Sequence, residues 1–216
     1  MITPPLCRRC GRPTAVPVAR CADCPPPVID AVRAAFLYDG AIARSIKAMK
    51  FSGWHALSRD LAGAMAAVIE PAADVVTWVP LSRRRRGRRG FDQAELLARG
   101  VGRRLDLPSR RLLRRVRDTA AQARLAGVDR RSALREAFAS VRASPPSVIL
   151  VDDVLTTGST AAACAETVKE AGARRVVVLA VARSLNGPVP ARCYRTNGPS
   201  LGADGPLEPG GTAAYH

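Results

Sequence analysis

Lysine is nearly absent from this basic chain: Lys47, Lys50 and Lys169 are the only lysines among its 34 basic residues. Aromatic residues make up 4% of it, which argues against a platform that stacks the bases of single-stranded nucleic acid. No stretch nears the ~18 uninterrupted apolar residues of a membrane span. The opening MITPPLCRRCGRP has no apolar signal-peptide region. These absences lead us to expect a cytoplasmic protein with no membrane span and with reduced thiols. No Cys/His or Ser/His nucleophile set is evident either.

What is present is arginine. The net charge is +16 and the isoelectric point about 11.1, which fits polyanionic partners such as phosphates or nucleic acid. A GC-rich coding sequence would produce the same bias, and both readings stand. With 216 residues, 47% of them hydrophobic, the chain can build one domain of ~100–200 residues and a small appendage.

Four of the six cysteines lie in the first 24 residues, and Pro25-Pro26-Pro27 marks a stiff linker after them. Beyond it, apolar runs too short for helices alternate with segments of helical spacing. Strands are expected at 33–38, 74–80, 148–151 and 175–182. Helices are expected at 42–51, 57–70, 91–105, 130–138 and 159–173, with Asp92 as a cap. This alternation predicts an α/β fold with a mostly parallel sheet flanked by helices. From Asn186 the composition turns to glycine, proline and small polar residues, so 186–216 is expected to be a disordered tail. Cys164, within a helical segment, reads as a small buried hydrophobe.

Cys7-x-x-Cys10 and Cys21-x-x-Cys24 are separated by ten residues. Each CxxC turn aims two thiolates at one point, and two such turns make a tetrahedral thiolate site suited to zinc. Disulfides do not suit a reducing compartment. Four protein ligands leave no open position, so the zinc would be structural, and residues 1–30 would form a zinc ribbon. Arg8, Arg9, Arg12 and Arg20 would offset its negative charge. The thirteen residues VILVDDVLTTGST, Val148 to Thr160, carry the second signal. A buried strand runs into Asp152 and Asp153, and Thr156, Thr157, Gly158, Ser159 and Thr160 lead into a helix. A helix N-terminus offers free N–H groups and the positive end of its dipole. The turn suits a monophosphate, and the carboxylates suit the hydroxyls of a sugar. An Asx-type cap would explain one aspartate and not the whole string. A P-loop would need GxxxxGK[ST], and no lysine is present here.

VILVDDVLTTGST resembles the phosphoribosyl pyrophosphate (PRPP) motif of type I phosphoribosyltransferases. VPLSRRRRGRRGFDQAELLA (79–98) and RRVRDTAAQARLAGVDRRSALREAF (114–138) resemble segments of the ComF family of competence-protein relatives, in which an N-terminal paired-CxxC ribbon is also typical. The resemblance covers residues 5–185, with Asp92 and Ala133 where the family usually has asparagine. It implies a type I phosphoribosyltransferase-like domain over 31–185 that binds PRPP with Mg²⁺. Asp152 and Asp153 would hold the ribose, and Thr156 to Thr160 the 5′-phosphate. Pro80 to Gly90 would form a pyrophosphate loop with Arg85, Arg89 and Gly90, and Thr119, Gln122 and Arg130 would lie in a flap. It also implies an association with natural transformation, and so with single-stranded DNA or DNA-uptake proteins as partners. Two functions follow: transfer of ribose 5-phosphate to an acceptor, or DNA handling with the phosphate site kept for binding or regulation. The chain has no N-terminal cysteine, unlike a glutamine-hydrolysing amidophosphoribosyltransferase.

Overall fold

The computed structural model describes residues 1–2, 5–51, 55–117 and 134–185. The expected flap residues Thr119, Gln122 and Arg130, together with Ala133 and the tail 186–216, lie outside the described residues.

After the cysteine-rich segment the chain forms β1 (Ala31–Leu37), α1 (Gly40–Phe51), α2 (His55–Ala66) and β2 (Val75–Trp78). It continues through α3 (Arg83–Arg89), α4 (Gln93–Leu105) and the short strands β3 (Leu113–Arg115) and β4 (Phe138–Ser140). It then forms β5 (Ser147–Leu155), α5 (Ser159–Glu170) and β6 (Arg175–Arg183). Four strands make one sheet in the order β1-β6-β5-β2, every pair parallel. The mostly parallel sheet flanked by helices agrees with the sequence expectation. β3 and β4 pair antiparallel as a separate ribbon.

The two central strands are apolar at nearly every position because both of their faces are covered. Val148, Leu150, Val176 and Val178 share one core layer with α5 and the β3–β4 pair. Ile149, Val151, Leu179 and Val181 share the other with α1, α2 and α4. Cys7 and Cys10 are buried within the first layer, so the cysteine segment does not stand apart from the sheet.

Two local expectations are corrected. Residues 83–89, expected to be part of a loop, are helical. Ser82 caps the segment by accepting from Arg85 N, Gly90 closes it with φ 77°, and arginine is a good helix former. The β5 strand, expected to end at Val151, runs on to Leu155, because its backbone stays in parallel register with β6 as far as Leu155 opposite Arg183. Asp152 and Asp153 therefore lie inside the strand. Near its end the face alternation breaks: Val151 and Val154 pack in the same layer although they are three residues apart. The expected helix at 130–138 is described only from 134 and gives way to β4 at Phe138.

A candidate phosphate site beside a four-cysteine cluster

In a parallel sheet the strands end together, and ligands are held at their carboxyl ends. Here that end gathers segments far apart in sequence. Val79 N donates to Val151 O at 2.9 Å, which sets the approach to α3 beside the residue before Asp152. Ser184 N donates to Leu155 O at 2.9 Å, which sets the exit of β6 beside the turn after β5.

That turn is Thr156-Thr157-Gly158. The threonines are exposed, and Gly158 has φ 76° and ψ 3°. A Cβ at 158 would meet Leu155 Cδ1 and Pro25 Cβ at 3.8 Å, ordinary contacts. The glycine is thus required by its backbone angle and not by space. As N-cap of α5 it offers no side chain to the first helical N–H groups. Thr157 Oγ1 lies 2.9 Å from Ser159 Oγ and accepts from Ser159 N at 3.4 Å. The turn therefore presents hydroxyls and backbone donors together at the positive end of a twelve-residue helix.

The acid pair lies one step back in β5. Asp153 N donates to Asp152 Oδ1 at 2.8 Å, so the first carboxylate is held by the next amide. Asp152 faces α5, where Cys164 is fully buried. The Cys164 thiol is pushed well above its ordinary value, first by burial and then by the Asp152 charge, with Arg115 opposing. Cys164 is therefore an inert core residue.

The arginine segment is pinned at both ends. Asp92 accepts from Leu81 N at 2.9 Å, Ala94 N at 3.1 Å and Glu95 N at 3.5 Å, so it is the cap of α4 that its sequence position suggested. Burial raises its pKa, against these three hydrogen bonds. Arg85 is exposed, whereas Arg89 is half-buried and donates to Gln93 Oε1 at 3.1 Å. Gly90 N donates to Arg86 O at 2.8 Å.

The four N-terminal cysteines converge, with their sulfurs within 4.8 Å of one another. Cys7 Sγ lies 3.6 Å from Cys24 Sγ, Cys10 Sγ 3.4 Å from Cys21 Sγ, and Cys21 Sγ 3.8 Å from Cys24 Sγ. A tetrahedron with metal–sulfur bonds of ~2.3 Å has edges of about 3.8 Å, so the donor set fits zinc. Burial pushes the Cys21 and Cys24 thiols up, Cys21 to about 12. Cys7 nonetheless falls to about 6, because hydrogen bonds involving Cys10, Cys24 and Cys21 outweigh burial there. Gly11, φ 66°, turns the chain where a Cβ would stand 3.1 Å from Val32 O of β1. Val32 N donates to Arg9 O at 2.8 Å, which lays the first CxxC turn along the sheet edge.

No family model matches the chain. It is 30% identical to Competence protein F of Haemophilus influenzae over 83% of this chain and 85% of that one. It is 33% identical to the DNA utilization protein YhgH of Escherichia coli O157:H7 over the same shares, and 30% identical to Competence protein ComFC of Bacillus subtilis over 74% and 69%. The chain belongs to the ComF family of competence proteins. Among solved structures, it is similar to the glutamine PRPP amidotransferase from B. subtilis complexed with ADP and GMP. That likeness has a TM-score of 0.42 and 24% identity over 57% of this chain and 26% of that one. A second structure, of the allosteric regulatory enzyme of purine biosynthesis, gives 0.40 and 26% over 57% and 25%. The chain spans about a quarter of each of these larger proteins.

Membership in the ComF family fits what the sequence singled out. The structure brings the turn Thr156 to Gly158, the acid pair and the approach to α3 to one end of the sheet. Sequence reasoning missed Arg183, the last residue of β6. Its guanidinium donates from Nη1 to Cys10 O at 2.5 Å and from Nη2 to Asp23 O at 3.4 Å. Nothing in the run RVVVLAVAR marks a contact 173 positions away. No described helix is long and apolar enough to cross a membrane.

Proposed function

We propose that this ComF-family protein binds PRPP with Mg²⁺ and works as a phosphoribosyltransferase-type domain in the handling of DNA. The observation that carries the reading is the start of α5 behind Gly158, which has no side-chain cap, with two carboxylates three and four residues upstream of its turn. The turn's N–H groups and hydroxyls would take the 5′-phosphate. Asp152 and Asp153 would accept hydrogen bonds from the ribose hydroxyls. Magnesium prefers oxygen ligands and keeps few from the protein. It would be shared between the ligand's own oxygens and this acid pair, and would neutralise charge on the pyrophosphate. Arg85 and Arg89, on a helix whose approach is bonded to β5 at Val79, would supply bidentate donors to the same group. Catalysis would then rest on positioning and on charge stabilisation of the leaving pyrophosphate. Zinc held by Cys7, Cys10, Cys21 and Cys24 would be structural.

Calorimetry with PRPP and Mg²⁺, beside elemental analysis of protein purified without added metal, tests this reading. Saturable PRPP binding and one zinc per chain are expected. Absence of PRPP binding by folded protein would overturn the phosphoribosyl assignment.

A second reading, DNA handling without transfer, is favoured by the exposed Arg84, Arg85, Arg86 and Arg88 of α3. The relatives named for competence and DNA utilization support it. DNA binding across a salt series, set beside the PRPP titration, separates the two.

A further inference from the structure

A cleft of about 250 Å³ opens between the cysteine segment and the turn after β5. One side carries Arg12, Asp23 and Pro25, and the other carries Thr156, Thr157 and Gly158, with Arg183 at the junction. The phosphate turn therefore has a second wall, and that wall belongs to the metal-binding segment.

Arg183 is the feature of this cleft that calls for a ligand. It is only 6% exposed. Its Nη atoms donate to two neutral carbonyls, Cys10 O and Asp23 O. Its Nε is buried with no partner among the described residues, and no carboxylate there pairs with the guanidinium. A buried charge is costly unless a counter-charge stands near it. Two negative centres could supply one. Four thiolates around Zn²⁺ would carry a net negative charge on the Cys10 side. A phosphate on the turn would do so on the cleft side. Arg12 reinforces the cleft side: it lines the same space, and its side chain is mostly buried against Asp23, with Nη1 2.7 Å from Oδ2. The Asp23 side chain is the more exposed partner and offsets part of that charge.

We propose that the cysteine segment completes the anion site. A phosphomonoester is held between the N-terminus of α5 and the Arg12 guanidinium, and Arg183 ties this wall to the metal-bound cysteines, so that ligand affinity depends on the metal. The inference rests on the reading of the turn as a phosphate site. Arg183 acts as a positioning residue. It holds the carbonyls of Cys10 and Asp23, each in or beside a CxxC turn, against the strand that borders Leu155.

Ribose 5-phosphate, which has the phosphate and ribose but no pyrophosphate, is the probe. Its binding to the full zinc-loaded chain is measured by calorimetry at low salt, for the wild type and for Arg12→Gln, Arg12→Lys and Arg183→Lys, with zinc content determined in each sample. Arg12→Gln is expected to weaken binding about tenfold, the scale of a lost charged hydrogen bond, with zinc unchanged and with partial rescue in Arg12→Lys. Arg183→Lys keeps the charge and loses the fork, so it should weaken binding and make zinc easier to extract by a chelator. Chelated wild type should bind more weakly and recover when zinc is restored. Wild type that fails to bind ribose 5-phosphate overturns both the phosphate turn and this wall. Wild type that binds, with Arg12→Gln and metal-free protein binding equally well, overturns the wall alone and leaves the turn's role standing.

Discussion

The Asp92 carboxylate accepts the Leu81 N–H at 2.9 Å, so the residue that caps α4 also holds the chain entering the arginine helix. One side chain thereby fixes both boundaries of α3: Leu81 precedes its Ser82 cap, and Asp92 follows its Gly90 closure. Each carboxylate oxygen is used, Oδ2 by Leu81 and Oδ1 by the first turn of α4.

The burial of Asp92 has a pH signature. Its pKa is raised in the folded protein, so the native state holds a proton that the unfolded chain has already released. Its contribution to stability is full below the ordinary carboxylate value and is lost as pH rises through the raised value. Asp92→Asn should flatten that part of the stability–pH curve. It should keep the cap on α4, because asparagine is also a good N-cap, and lose the Leu81 bond. Urea midpoints measured from pH 3.5 to 7 check this, and an unchanged slope would refute it.

Gly158 should tolerate little else. Alanine there meets no clash, so its cost is the left-handed backbone, about 1–2 kcal/mol. Gly158→Asn should cost less, since asparagine tolerates that conformation. Chemical denaturation of both variants measures the difference. Equal stability of Gly158→Ala and wild type would mean that the turn has relaxed to another conformation.

The acid pair should matter to the ligand and not to the fold. Replacing Asp152 and Asp153 together by asparagine keeps the volume and puts donors where ribose hydroxyls need acceptors. PRPP binding should weaken by at least ~2 kcal/mol, the scale of lost hydrogen bonds to charged groups. Asparagine Oδ1 can still accept from the amide at 153, so the melting temperature should not fall. Calorimetry beside thermal melts decides it. A lower melting temperature with intact PRPP binding would assign the pair a structural role.

For DNA, the exposed arginines of α3 predict binding that is independent of sequence and steep in salt. Replacing Arg84, Arg85, Arg86 and Arg88 by alanine should flatten the slope of log K against log salt for a single strand by up to about 3, at ~0.7 per phosphate contact. Fluorescence anisotropy over a salt series reads this directly. An unchanged slope would place the DNA contacts elsewhere.

The sequence by itself determined whatever depends on near neighbours in the chain. Paired CxxC spacing was enough to foresee four converging sulfurs, since each turn brings its own two together. The cap at Asp92 and the continuous apolar runs of β5 and β6 were legible for the same reason: each is set by hydrogen bonds or burial within a few residues. Tertiary structure alone decided the rest. The β5 strand continues through its aspartates because β6 pairs alongside it, and no pattern in VDDVL announces that. The arginine run is a helix because Ser82 and Gly90 cap it and Asp92 folds back to Leu81. The cysteine segment lies beside the turn after β5 because Arg183 reaches the carbonyls of Cys10 and Asp23. Contacts across 160 and 173 positions carry no local periodicity. They exist only once the sheet has set its last strand beside its first.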